Sequence, residues 1–441
     1  MSDNQTDIEF PVVPERAQWF VHDRFGMFIH WGIYSAIARY GRGGLAEWSK
    51  SLDQISEEHY QQYFDTFEPD LYDPREWARM AKAAGMKYAV ITTKHHDGFC
   101  LWDTQLTDYK APNTPAGRDL IRPWVEAFRA EGLRVGFYYS LIDWHHPHFP
   151  VDGLHPRRED TALREEKRDM AIYREYLSGQ VRELLTNYGP IDVLWFDFSY
   201  PGMDWGWARG KGHEDWQSEQ IVELVRELMP DVLLNNRLDL PEAADFITPE
   251  QVQPRSWLTV NGKRVTWEAC QTLNGSWGYD RDNTNWKSPD LLIRMLIESV
   301  SNGGNMLLNV GPTARGEIDV HARAILQEVG EWMKHHGKAI YGTTASRFTP
   351  PPDSRYTQRG DRLYLHLFSW PMGHIFLPGL ANKVKYARFM NDNSALHFES
   401  GVRAGSHTTP TDLAEDVLTL ELPAQRPDVI LPVVELILQD A

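Results

Sequence analysis

Cysteine is nearly absent: Cys100 and Cys270 are the only two in 441 residues. Two cysteines cannot build a disulfide framework, and each follows an apolar or aromatic stretch, so buried free thiols and a reducing compartment are expected. Excess positive charge is also missing. The formal net charge is −17, which argues against nucleic acid or an anionic membrane surface as partner, since both require a basic patch. No run of eighteen apolar residues exists, so no membrane-spanning helix is expected. The start, MSDNQTDIEF, has neither a basic n-region nor an apolar h-region. That absence predicts a cytoplasmic protein, or a periplasmic or secreted one where a leader has been removed. Catalytic signatures are scarce too. No Gly-rich phosphate fingerprint follows a strand, no GxSxG elbow occurs, and HExxH and CxxC are both lacking. GRGG (41–44) and SNGG (301–304) lie outside a strand–turn–helix context and read as turns.

What the chain has is alternation. Apolar runs at 26–32, 87–96, 134–140, 191–197, 231–237 and 305–311 read as strands. Helical patterns at 73–85, 118–132, 160–187, 215–228, 288–304 and 318–337 separate or follow them. Asp73 as N-cap, Pro74 at the first helical position and Gly85 beyond the end mark one helix clearly. Repeated βα units with Gly-marked links predict a parallel sheet with helical crossovers. The expected fold is therefore an α/β, (β/α)8-like (TIM) barrel over residues 1–345, with irregular strands in 245–275 where the pattern is weak. A doubly wound open sheet is the alternative. Beyond Pro350-Pro351-Pro352 the texture changes to short alternating runs at 362–369, 374–379, 383–390, 416–423 and 433–439. These predict a small C-terminal antiparallel β-sandwich over 346–441.

Five apolar strands end in polar side chains: His30-Trp31, His95-His96-Asp97, Tyr138-Tyr139, Asp197, and Asn235-Asn236-Arg237. An Asp ending so apolar a strand as VLWF costs several kcal/mol unless a charged or polar group answers it. In a parallel barrel all these groups project at one mouth, where such enzymes place their chemistry. Seventeen tryptophans add flat aromatic faces suited to the C–H faces of sugar rings. Because adjacent strand residues point to opposite faces, His95 and His96 are not expected to share an ion. His145, His146 and His148 read as rim-loop residues, and neither metal nor cofactor is expected. What remains is carboxylate chemistry. Glycoside cleavage needs one carboxylate as nucleophile or base and one carboxylic acid as proton donor. Asp197 is the natural first group; Glu250, Glu268 and Glu47 all stand near aromatics and are unranked candidates for the second.

At these residues the chain resembles the retaining α-L-fucosidases of glycoside hydrolase family 29. Seven segments match in order: RFGMFIHWGIYS (24–35), KYAVITTKHHDGFCLWDT (87–104), VGFYYSLIDW (135–144), DVLWFD (192–197), NNR through DFITPE (235–250), WEACQTLNGSWGY (267–279) and SVSNGGNMLLNVGPTARGEI (299–318). The resemblance implies an imperfect barrel followed by a β-sandwich, and an exo-acting retaining hydrolase of fucosylated oligosaccharides or glycoconjugates. It implies Asp197 as nucleophile and Glu250, in Thr248-Pro249-Glu250, as acid/base, with Glu268 as its rival. Sugar contacts carry over to His30, Glu47, His95, His96, Tyr138 and Arg237, and Trp31 and Trp277 are expected at the substrate. Two other readings stay open here: a related α-glycosidase for a galactose-like sugar, and a fucose-binding, lectin-like protein without turnover. Oligomeric state is not readable from the chain.

Overall fold

The computed structural model describes residues 9–38, 45–401 and 416–439; the GRGG turn at 41–44 lies outside them. The first sheet contains β1 (Phe25–Ile29), β2 (Tyr88–Lys94), β3 (Arg134–Ser140), β4 (Val193–Asp197) and β5 (Leu233–Leu234). A surface hairpin of β6 (Thr259–Val260) and β7 (Lys263–Arg264) precedes β8 (Glu268–Thr272) and β9 (Asn305–Val310). The seven sheet strands run β5-β4-β3-β2-β1-β9-β8, and every pairing is parallel. Single parallel bridges Asn235–Phe246, Ile247–Trp267 and Glu250–Cys270 then join the β5 edge to the β8 edge. Residues 246–250 thus occupy the eighth position without forming a regular strand. This is the weak stretch foreseen at 245–275. Pro249 lies inside it and has no N–H for a ladder.

Alternation along the strands separates two cores. Phe28, Tyr88, Val90, Tyr138, Val193, Trp195 and Leu307 fill the barrel interior. Their neighbours Met27, Ile29, Tyr139, Leu194 and Phe196 face the helices. That period of two fixes which strand-end residues reach the pocket. The surrounding helices begin where short polar residues cap them: the Asp73 carboxylate accepts from the Arg75 and Glu76 amides at the start of Pro74–Ala83. Sequence periodicity predicts one helix over 160–187, but there are two, Thr161–Glu165 and Met170–Asn187. Asp169 accepts from the Ala171 amide at 2.9 Å and restarts the helix there. Among the described residues no helix is long and apolar enough to cross a membrane. Both cysteines are free and buried, as expected.

The C-terminal region holds β10 (Thr344–Ala345), β11 (Ser354–Arg359), β12 (Arg362–Leu367), β13 (His374–Leu377), β14 (Val384–Phe389), β15 (Phe398–Ser400), β16 (Leu418–Glu421) and β17 (Val433–Leu438). These form antiparallel sheets of five strands, β10-β11-β12-β17-β14, and three, β13-β16-β15, around their own apolar cluster. Strand β11, SRYTQR, gave no apolar signal because Tyr356 is its one large apolar residue. Pairing to β12 over six residues holds it in place. The Trp332 indole N–H donates to Leu431 O, and Arg355 pairs with Glu298 at 3.1 Å, tying these sheets to the helices behind β9.

Candidate active site

Asp197 is the last residue of β4 and, with Val193 and Trp195, points into the barrel. Its Oδ2 accepts from the Tyr138 hydroxyl at 2.7 Å, and its Oδ1 lies 3.1 Å from Arg237 Nη1. Burial raises its pKa to about 6, against the pull of the Arg237 cation. The backbone turns sharply just after it: Phe198 has φ of 81°, a left-handed conformation that costs a non-glycine residue about 1 kcal/mol or more. The Phe198 ring then packs edge-on to His96.

Arg237 reaches the site because β5 stops after two residues. The Asn235 side chain takes over the ladder, accepting from Phe196 N and donating to Phe196 O. A short 3-10 turn over Asn236–Leu238 follows. The guanidinium is held from behind, Nε donating to Thr248 Oγ1 at 2.9 Å and Nη2 to Thr248 O at 3.2 Å. It lies 5.1 Å over the Trp195 ring, within cation–π range. Its remaining reach spans two carboxylates, Asp197 through Nη1 and Glu250 Oε2 through Nη2 at 2.9 Å. The Glu250 side chain is 43% exposed, whereas Asp197 is nearly buried. One carboxyl thus faces the barrel and the other the mouth, clamped by one cation.

Around this pair stand the strand-end histidines. His30 continues the inward register of Phe28, and its Nδ1 is 2.7 Å from Asn309 Oδ1. Trp277 lies over the His30 ring with centroids 5.0 Å apart. His95 stacks parallel to Tyr138. His96 Nε2 sits 3.8 Å from Asp197 Oδ2, and its Nδ1 is 2.7 Å from Ser140 Oγ. Glu47 is fully buried; its Oε2 accepts from Gly278 N at 2.9 Å, while its Oε1 has no partner among the described residues. Burial raises Glu47 to about 7.

The α-L-fucosidase family model matches residues 6–338. The chain belongs to the α-L-fucosidase family. It is similar to the human plasma α-L-fucosidase, 29% identical over 392 residues, which cover 81% of this chain and 78% of that protein. Its fold is similar to that of α-L-fucosidase isoenzyme 1 from Paenibacillus thiaminolyticus, with a TM-score of 0.89, 48% identity, and coverage of 97% of this chain and 99% of that one. It is also similar to an α-L-fucosidase from Bacteroides thetaiotaomicron trapped as a covalent intermediate with 2-fluoro-fucosyl fluoride. There the TM-score is 0.79 at 26% identity, covering 99% of each chain.

Three sequence expectations need correction within this fucosidase site. Trp31 does not face the pocket. The same alternation that turns His30 inward turns Trp31 outward onto Phe67, Tyr72 and Trp77, where its N–H donates to Thr313 O. His95 and His96 do converge, because β2 ends at Lys94 and its register against β3 shifts between Thr92 and Lys94. Such an irregularity re-aims side chains, so strand alternation no longer governs the two rings. Their ligand atoms and an Asp197 oxygen lie within 4.8 Å of one another, a donor set of metal-binding type. Arg237 already places a cation on Asp197, which disfavours a second. Glu268 lies at the opposite end of the barrel, as the first residue of β8 beside Asn305, with the Tyr88 hydroxyl donating to it. Burial raises it to about 8.

Sequence reasoning also passed over Asn309, Ser140, Trp48 and Trp195. Trp48 packs on His96 at 4.7 Å, and Trp195 stacks on Tyr138. Trp195 two residues before Asp197, Trp48 beside Glu47 and Ser140 beside Tyr139 carried local signals; Asn309 is joined to His30 only by folding.

Proposed function

We propose that this pocket releases terminal α-L-fucose from fucosylated glycans by double displacement, with Asp197 as nucleophile and Glu250 as acid/base. The observation that carries the reading is the Arg237 fork, which holds Asp197 and Glu250 together at 3.1 and 2.9 Å. A retaining pair stands about 5–5.5 Å apart, a span one guanidinium gripping both can bridge. An Asp197 oxygen attacks the anomeric carbon as its bond to the aglycone oxygen breaks, and Glu250 gives that oxygen its proton. The result is a glycosyl ester on Asp197. Glu250, now ionised, takes a proton from water, and the water oxygen displaces Asp197 from the same carbon. Two inversions leave the configuration retained.

The neighbours support each step. Arg237 opposes the effect of burial and keeps Asp197 available as an anion near neutral pH. The Tyr138 hydroxyl fixes the other Asp197 oxygen. Exposure of Glu250 suits a group that must meet both the departing aglycone and incoming water. His30, His95, His96 and the unpartnered Oε1 of Glu47 are left to meet sugar hydroxyls, and Trp277 offers an apolar wall for the 6-deoxy methyl.

Purified protein should release p-nitrophenol from the α-L-fucoside and not from the α-D-galactoside or β-D-fucoside. Preference for the galactoside would move the reading to a galactose-like sugar. Silence on all three, with L-fucose bound in calorimetry, would make the pocket a binding site only.

A further inference from the structure

Two of the pocket imidazoles are gripped through Nδ1, and the grip decides which nitrogen carries the proton. Asn309, at the inward face of β9, contacts His30 Nδ1 at 2.7 Å with one end of its amide and the Trp277 backbone oxygen at 2.6 Å with the other. A backbone carbonyl only accepts, so the amide NH2 of Asn309 must face Trp277. Its oxygen must then face His30, and an oxygen there demands a proton on His30 Nδ1. The same logic applies on β3. Ser140 Oγ donates its single hydrogen to Ile142 O at 2.8 Å and accepts from Ile142 N at 3.1 Å. Towards His96 Nδ1, 2.7 Å away, the hydroxyl can only accept. Burial pushes His30 down to about 3 and His96 well below the usual imidazole range, so both rings are neutral and hold one proton each.

We infer that Asn309 and Ser140 are positioning residues that lock His30 and His96 as Nδ1–H tautomers, so that each ring presents a bare Nε2 lone pair to the substrate. The inference rests on the reading of this pocket as a fucose site. Its consequence is a pocket wall rich in acceptors: two Nε2 lone pairs beside the Asp197 carboxylate, with His96 Nε2 only 3.8 Å from Asp197 Oδ2. A ligand must bring donors there, as sugar hydroxyls do. A fluorine or a methyl ether at the same position cannot. His95 differs, since its Nδ1 is buried with no hydrogen-bond partner among the described residues and its tautomer is not fixed this way. Asn309 has a second duty, because its NH2 pins the carbonyl of Trp277, whose ring covers His30.

The direct test is nitrogen-15 NMR of the full-length, histidine-labelled protein without ligand, with His30→Gln and His96→Gln spectra for assignment. Both rings should carry the proton on Nδ1, whatever sugar the enzyme turns over. A proton on Nε2 of either ring overturns the inference. Kinetics give the second test. The titratable groups around His30 are His95, His96 and Tyr138. Asn309→Asp would add a carboxylate beside Nδ1, favour the imidazolium and put a proton on Nε2. The expected result is a new acid-side loss in kcat/KM, carried by KM and absent in the wild type. Asn309→Leu should lower kcat/KM at least tenfold without that new limb. For Ser140, Thr should restore what Ala loses. An Asn309→Asp profile superimposable on the wild type would overturn the role of Asn309.

Discussion

The two ends of this barrel each bury a carboxyl group, and they treat it in opposite ways. At the mouth, Asp197 stands beside the Arg237 cation and the Tyr138 hydroxyl, and its pKa is raised only to about 6. At the floor, Glu268 has the Tyr88 hydroxyl as its close partner, with Asn305 bonded to the same hydroxyl, and rises to about 8. Burial is the largest cause of both shifts. The difference is the cation. A buried carboxyl with a guanidinium against it can be an anion at neutral pH, as a nucleophile must be; one without it is kept neutral. Resemblance of local sequence, WFD against WEA, hides this. Both are acids within two residues of a tryptophan, and only their partners tell them apart.

Breaking the mouth should cost far more activity than breaking the floor. Asp197→Ala should lower turnover by about 10⁴-fold or more while the protein stays folded. Added azide should restore rate and give the glycosyl azide of inverted configuration; near-normal turnover without azide would remove Asp197 from its role. Glu250→Ala should cost about 10²–10⁴-fold on natural glycans, the range of general acid catalysis. On p-nitrophenyl fucoside, whose leaving group needs little protonation, the loss in the first step should be small. Equal losses on both substrates would return the choice to Glu47. For Arg237→Met, a loss of about 10²–10³-fold is expected. Its acid limb in kcat/KM, set near pH 6 in the wild type by Asp197, should move upward because the cation that favours ionisation is gone.

Smaller effects sharpen the floor side of the comparison. Glu268→Gln should leave kcat/KM near the wild-type value. Its signature should be in stability. Because the folded pKa of Glu268 is raised above its unfolded value of about 4.3, folded protein holds a proton that unfolded chain releases. That stabilisation is complete below about pH 4 and is lost as pH rises towards 8, at up to about 1.4 kcal/mol per unit. Denaturant melts from pH 5 to 8 should show a steeper decline in the wild type than in Glu268→Gln, where only the other raised carboxyls, Asp197 and Glu47, still contribute. The smallest kinetic effect should come from Trp31→Phe, which faces the helices. It should cost about 1–2 kcal/mol of stability through its lost hydrogen bond and packing, with kcat/KM changed less than threefold.

Much of this was legible residue by residue. The run Val193–Phe196 could only be a buried strand, and Asp197 at its end asked for a cation. Asp73-Pro74 marked a helix start because capping is a local matter. Polar β11 was invisible because its strand character comes from pairing with β12 and not from its own side chains. Its place at a polar strand end suggests Trp31 for the pocket, but the period of two turns it away from His30. For His95 and His96 the opposite holds: β2 ends at Lys94, so the period of two does not reach them.

The sequence by itself determined the alternating strands and helices, the polar strand ends and the acid at the end of β4, since each is a matter of pattern over a few residues. Tertiary structure decided everything that depends on which groups meet. Residues 246–250 had to close the barrel before Glu250 could share Arg237 with Asp197. Asn309, distant in sequence from both His30 and Trp277, had to lie between them before the His30 proton had a fixed place. Charge and proton positions are set by neighbours through space, and no local pattern encodes neighbours that only the closed barrel brings together.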